Sequence, residues 1–184
     1  ALAGMAFGQK GQAMLTGKGM WLWEIEKTEA DPAKMIQLAQ AAGLEHILVK
    51  LSDGEYDYPF PAQDPDGQKE KLTHDVITAF RDAGIVVWGW GFAYGEDVDQ
   101  EMQAHRLAAR LLKYGLEGVV VNAEDFGNRR WSSTGGADRA RRYMETLHND
   151  LSGVEGGVVT AFSSYRYLSA HPTFPFAAFM AYSD

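Results

Sequence analysis

The sequence predicts an α/β fold built on a covered parallel sheet, and three observations predict it. Helical and β-branched segments alternate along the chain. Four times, an amphipathic stretch closes at a glycine and a short apolar run follows, in "AAGLEHILVKLSDG", "DAGIVVWGWG", "KYGLEGVVVNAED" and "SGVEGGVVTAFSSY". Those runs are apolar on both faces, the pattern of strands buried between layers. Alternation of this kind gives right-handed β–α–β crossovers.

The elements follow in order. A leading strand occupies "GMWLWEI", residues 19–25. The first helix starts at Asp31-Pro32, with Asp31 as cap and Pro32 in the first turn, and runs through "AKMIQLAQAA". Gly43 ends it, because a helix stops readily where a residue must turn left-handed. The second strand follows. The second helix spans residues 68–83 and stops at Gly84, before the third strand. The third helix spans residues 98–114, carries Met102, Leu107, Leu111 and Leu112, and stops at Gly115, before the fourth strand. The fourth helix spans residues 137–151, with Tyr143, Met144 and Leu147 near one face. Gly153 precedes the fifth strand. The sum is about five strands and four helices. The expected division is an N-terminal extension, residues 1–16, and one α/β domain, residues 17–184.

Composition fits one globular domain: 184 residues, 46% hydrophobic and 23% charged. No apolar run approaches the roughly 18 residues of a membrane span. A net charge of −8 disfavours a nucleic-acid binder, which needs clustered cations. The dense basic cluster Arg139-Ala140-Arg141-Arg142 reads as a solvated helix face. The absence of cysteine removes disulfides, thiolate metal sites and Cys nucleophiles. The chain starts at Ala1 rather than Met, so it reads as a processed or partial chain. "ALAGMAFGQKGQAML" lacks the basic start and sustained apolar core of a signal peptide.

In parallel α/β folds, chemistry collects where strands end. The first strand ends in Trp21, Trp23 and Glu24, and the second in Lys50, Ser52 and Asp53. The third ends in Trp88, Trp90 and Tyr94, the fourth in Asn122, Glu124 and Asp125, and the fifth in Ser163, Ser164, Tyr165 and Arg166. One rim would then hold carboxylates, an amine, hydroxyls and aromatics. That mixture suits a carbohydrate, whose C–H faces stack on indole while its hydroxyls bond polar groups. Side chains two apart share a strand face, so Asn122 and Glu124 point together and Asp125 points away. Glu124 is the better acid, and burial among Val and Trp would raise its pKa.

Other motifs carry less. "GWGFAYG" has bulky Trp90 and Phe92 where a dinucleotide loop needs close backbone approach. Asp53, Glu55 and Asp57 in "DGEYDY" lack the remaining parts of a calcium loop and read as an acidic turn. The histidines show no zinc spacing, and there is no Gly-x-Ser-x-Gly elbow. No metal or cofactor is expected.

Three stretches carry a resemblance: "GKGMWLWEIEKTEADPAKMIQLAQAAGLEHILVKLSDG", "VVVNAEDF" and "SSYRYLSAHPTFPF". From Gly17 onward the chain resembles a largely uncharacterised group of bacterial and phage-associated TIM-barrel glycoside hydrolases. The resemblance implies a partial (β/α)₈ TIM barrel rather than a doubly wound sheet, and an extracellular or phage-associated setting. In that group the chain continues beyond a segment like "FAAFMAYSD" into a sixth strand. A looser likeness is to family-25 lysozymes and other barrels with Asp-x-Glu at the fourth strand, where this chain has Asn122-x-Glu124. Asn-x-Glu occurs in some endo-N-acetylglucosaminidases. Carried over by position, Asn122 orients the substrate's acetamido group, which attacks the anomeric carbon, and Glu124 protonates the leaving oxygen.

The expected activity is hydrolysis of an amino-sugar polysaccharide such as peptidoglycan. Glu124, Asn122 and Asp125 are the catalytic candidates. Trp23, Glu24, Lys50, Asp53, Trp88, Trp90, Tyr94, Tyr165 and Arg166 are the substrate-binding candidates. The alternatives are a non-catalytic carbohydrate-binding or structural component of a phage or surface assembly, and a half-barrel scaffold. Neither a nucleic-acid nor a membrane partner is expected. Five strands of an eight-strand barrel leave open edges, so a second copy or missing barrel strands are expected to cover them.

Overall fold

The computed structural model describes residues 15–184. The expected extension, residues 1–16, lies outside them except for its last two positions. In chain order the elements are β1 (Gly19–Leu22), α1 (Ile25–Thr28), α2 (Pro32–Ala42), β2 (His46–Asp53), β3 (Tyr56–Asp57), α3 (Gln68–Asp82), β4 (Val86–Ala93), α4 (Gln100–Tyr114), β5 (Gly118–Ala123), α5 (Gly136–Leu151), β6 (Val159–Ser163) and α6 (Phe176–Met180).

The expected helices and strands all form. Asp31 caps α2 by accepting from the Ala33 N–H at 2.9 Å, with Pro32 in the first turn. Gly43 and Gly115 close α2 and α4 in the left-handed conformation, at φ of 66° and 58°. The first strand is shorter than expected. It stops at Leu22 because the chain turns into α1, whose Lys27 and Thr28 N–H groups donate to the Glu24 carbonyl. Sequence reasoning missed α1, β3 and α6, each five residues or fewer and too short to show a period.

The parallel strands pair in the order β1-β2-β4-β5-β6, and β3 folds back antiparallel on β2. The order never reverses. A doubly wound sheet reverses at its switch point, so this is a partial (β/α)₈ barrel. Among the described residues, β1 and β6 are its edge strands. At the base of β6, the Asp184 N–H donates to the Thr160 carbonyl at 2.9 Å, and the Thr160 N–H donates to the Asp184 carboxylate at 2.8 Å.

Strand alternation sorts residues onto two faces. Ile47, Val49, Leu51, Val119 and Val121 face the helices, against Ile77 and Phe80 of α3, Leu107 and Leu111 of α4, and Tyr143 and Leu147 of α5. Met102 and Leu112 of α4 instead stay exposed. On the opposite face, the barrel interior, Leu48, Trp88, Trp90, Val120 and Val159 form a second, smaller core. Gly118 makes room for it, since a Cβ there would lie 2.0 Å from the Trp88 ring.

A polar network locks α3 to α4. The Arg110 guanidinium donates to both Glu70 oxygens, at 2.9 and 2.7 Å, and the Tyr114 hydroxyl adds a third bond at 2.6 Å. Burial alone would raise the Glu70 pKa, but bonds from Arg110, Lys113 and Tyr114 outweigh it and hold the carboxyl at about 2.

Candidate functional site

The site is built from rows of side chains on the inner face. In register, Lys50 lies beside Trp90, then Val120 and Ala161. One row nearer the rim, Asp53 lies beside Phe92, then Asn122 and Ser163. Lys50 and Asp53 are three apart and would face opposite sides of a regular strand. A register shift between Lys50 and Ser52 resolves this. Leu51 packs in the helix-side core, and Ser52 turns toward Gly91 and Leu107 on that same side. The extra residue returns Asp53 to the inner face, the usual effect of a β-bulge.

Lys50 and Asp53 therefore meet. The Lys50 Nζ donates to Asp53 Oδ2 at 2.7 Å, and the Lys50 side chain is 3% exposed. Three rings enclose the ammonium, with centroids of Trp23, Tyr58 and Trp90 at 4.5, 4.8 and 5.0 Å. Such cation–π contacts partly replace lost water. Burial pulls the Lys50 pKa below its ordinary value, and Asp53 pushes it back. The other Asp53 oxygen accepts from the Tyr94 hydroxyl at 2.7 Å. Burial and the Asp53 charge raise the Tyr94 pKa. Burial, then the charges of Glu24, Glu26 and Asp53, push Tyr58 up to about 12.

Tyr94 is held from behind as well. Its N–H donates to the Gln103 amide oxygen at 2.8 Å, and its carbonyl accepts from the Gln103 amide nitrogen at 2.9 Å. Sequence reasoning missed Gln103 and Tyr58. A glutamine one position from Met102 and four from Leu107 was the available signal for Gln103. Nothing local marked Tyr58, which reaches the cage through the β2–β3 hairpin.

At the end of β5, Asn122 is half-buried between Phe92 and Ser163 of the neighbouring strands. Glu124 is also half-buried rather than enclosed. Its carboxylate has no hydrogen bond or ion pair among the described residues. Asp125 is fully engaged. One of its oxygens accepts from the Trp131 and Ser132 N–H groups at 2.7 and 3.1 Å, and the other accepts from the Ser132 hydroxyl. These bonds fold residues 126–132 back on themselves. Trp131 drops into the core, where its indole N–H donates to the Ala93 carbonyl at 3.0 Å. The Tyr165 hydroxyl accepts from the Asp125 N–H at 2.7 Å, tying the ends of β5 and β6 together.

Two expected platforms lie too deep to stack on a ligand. Trp88 is 2% exposed, low in the barrel interior, and belongs to the packing. Trp90 is 6% exposed, donates its indole N–H to the Leu22 carbonyl at 3.2 Å, and meets Trp21 edge-on. Both follow the rule that large residues fill a small barrel. Trp23 is 57% exposed, with its ring against Lys50. Glu24 pairs with Lys27 at 2.7 Å. Arg166 lies over the Tyr167 ring at 5.2 Å.

The acidic turn disperses. Asp53 serves Lys50, Glu55 accepts from the Asp99 N–H at 3.3 Å, and Asp57 lies 3.9 Å from Arg106. Among the described residues, no group of three His, Asp or Glu side chains converges on a metal position. No described helix is long and apolar enough to cross a membrane.

No family model matches the sequence, and neither does any curated protein. Solved structures do match in fold. A chitinase from Chromobacterium violaceum superposes with a TM-score of 0.50 at 14% identity, covering 91% of this chain and 54% of its own. An endocellulase from Pyrococcus horikoshii, solved with cellotetraose, superposes with a TM-score of 0.51 at 11% identity, covering 84% of this chain and 59% of its own. The chain thus shares the α/β fold of these glycoside hydrolases and spans a little over half the length of each.

Proposed function

We propose that this chain is a glycoside hydrolase unit acting on an amino-sugar polysaccharide such as peptidoglycan. One observation carries the reading. Of the strand-end carboxylates Glu24, Asp53, Glu124 and Asp125, Glu124 alone has neither a hydrogen bond nor an ion pair among the described residues. It comes just after Asn122 and Ala123, at the end of β5, where barrels place their chemistry. Glu124 donates its proton to the glycosidic oxygen as the bond to the anomeric carbon breaks. The acetamido oxygen of the same sugar, oriented by Asn122, attacks that carbon, so no second free carboxylate is needed. Water then opens the cyclic intermediate and returns a proton to Glu124. Asp125 holds the loop, and Lys50, Asp53 and Tyr94 hold the rim. The likeness to a chitinase and an endocellulase supports the fold on which such a site is built.

The test is incubation with peptide-free peptidoglycan strands, counting new reducing ends beside a glycan array. Hydrolysis supports the proposal. Binding without hydrolysis favours a second reading, a carbohydrate-binding component of a larger assembly, for which the exposed Trp23 speaks. Neither binding nor hydrolysis removes both.

The β1 and β6 edges, which no further strand covers among the described residues, and the exposed Trp21 belong to the same proposal. Unpaired strand edges recruit partners. The chain is expected to associate with a second copy or with further barrel strands. Light scattering of the isolated chain should report a mass above the monomer, and a stable, soluble monomer would remove this expectation.

A further inference from the structure

The cations of this acidic chain are unevenly committed. Every described lysine from Lys27 onward pairs with a carboxylate. Six described arginines, Arg81, Arg129, Arg130, Arg139, Arg142 and Arg166, have no carboxylate partner among the described residues, and three of them, Arg129, Arg130 and Arg166, lie on the loops that leave β5 and β6 at the rim. Arg129 is the most closely placed. Its guanidinium lies over the Tyr94 ring at 5.0 Å. Tyr94 is itself fixed by Asp53 and Gln103. The backbone beneath is fixed too. The Gly95 N–H donates to the Arg129 carbonyl at 3.3 Å, and a Cβ on Gly95 would lie 2.3 Å from the Arg130 carbonyl. Arg130 closes the turn by donating to the Gly127 carbonyl at 3.1 Å. A guanidinium stacked on a ring keeps its in-plane N–H groups free for a two-pronged bond to a planar anion. No side-chain N–H of Arg129 is spent on the protein among the described residues.

We infer that Arg129 is a substrate carboxylate anchor, so the glycan carries an acidic group on a sugar next to the one whose glycosidic oxygen Glu124 protonates. This rests on the glycosidase reading and narrows its substrate to a carboxylate-bearing polymer. Arg166, on the neighbouring loop tied in through Tyr165 and Asp125, adds a second positive charge on that side of the rim.

The experiment measures affinity, by calorimetry at low and moderate salt, for three probes. These are a peptide-free peptidoglycan strand with free lactyl carboxylates, the same strand with its carboxyls reduced, and a chitin oligomer of equal length. The carboxylated strand is expected to bind about tenfold more tightly than either neutral probe, the worth of one charge-assisted pair. The advantage should shrink as salt rises. Arg129→Ala should bring the ratio to about one, and Arg129→Lys should restore only part of it, because an ammonium lacks the fork. Thermal melting checks that the variants fold. If Arg129→Ala does not, Arg129→Gln and the salt series of the unaltered chain supply the reading.

Equal affinity for all three probes overturns the inference, as does a ratio that survives loss of Arg129. No binding at all also overturns it. Turnover is scored separately. Hydrolysis with no carboxylate preference removes the anchor and leaves the glycosidase reading. Carboxylate preference without hydrolysis removes the glycosidase reading and leaves the anchor.

Discussion

Glu124→Gln is expected to lower turnover on an N-acetylated glycan strand by about 10²–10⁴-fold, the usual contribution of a positioned general acid. The amide is nearly the same shape but has no acidic proton to give the leaving oxygen. Stability should change little, by about 0.5 kcal/mol or less, because Glu124 is half-buried and bonds to nothing among the described residues. Binding should survive as well, so the loss should appear in kcat rather than in KM. Asp125 provides the contrast. Its carboxylate accepts three bonds from Trp131 and Ser132, so Asp125→Ala should lower the melting temperature. Unchanged kcat in Glu124→Gln on a strand that the unaltered chain cleaves would remove Glu124 from the role of acid.

The second large effect concerns the caged ammonium. Asp53→Ala should destabilise the fold by about 3–5 kcal/mol near neutral pH, the cost of breaking a buried pair from one side. The lysine left behind is 3% exposed, and its remaining neighbours are rings. The sign with pH follows from burial, which holds the Lys50 pKa below its unfolded value. Without Asp53 that depression deepens. Below the folded pKa the penalty is complete. As pH rises from there toward the unfolded value of about 10.4, the folded state sheds its proton first and the penalty shrinks. Chemical denaturation at two pH values would show the variant closing on the parent as pH rises. The double variant Lys50→Met with Asp53→Leu should recover most of the loss, since an apolar pair of similar size often equals a buried ion pair. A flat pH response, or a double variant as unstable as Asp53→Ala, would mean that the cage holds no uncompensated charge. Because Asp53 also fixes Tyr94, and Tyr94 carries Arg129, these variants should loosen the rim as well.

Much of this architecture was legible in sequence, for identifiable reasons. Helix periodicity and the left-handed stops at Gly43 and Gly115 are local properties, so α2, α3, α4 and α5 fall within about two residues of where the pattern places them. The β-branched runs announce β2, β4, β5 and β6 for the same reason. The shared face of Asn122 and Glu124 belongs to the proposal, because β5 ends at Ala123 and alternation no longer governs Glu124. Other inferences failed where local pattern says nothing about depth. Trp88 and Trp90 read as rim platforms because they sit late in an apolar run, and two positions of strand separate a rim from a core. Glu124 read as buried because valines precede it, yet the strand has ended and the side chain is half-open.

What the sequence by itself determined is the succession of elements and the type of chemistry at their ends, since both depend on neighbours a few residues away. The strand order without reversal, the bulge that turns Asp53 onto the face of Lys50, and the capture of Asp125 by Trp131 and Ser132 were decided only in the tertiary structure. Each depends on groups brought together by folding: a neighbouring strand's register, a hydroxyl 41 residues distant in the case of Tyr94 and Asp53, a loop folding back on its own carboxylate. Those same contacts leave Glu124 open while they occupy the other strand-end acids.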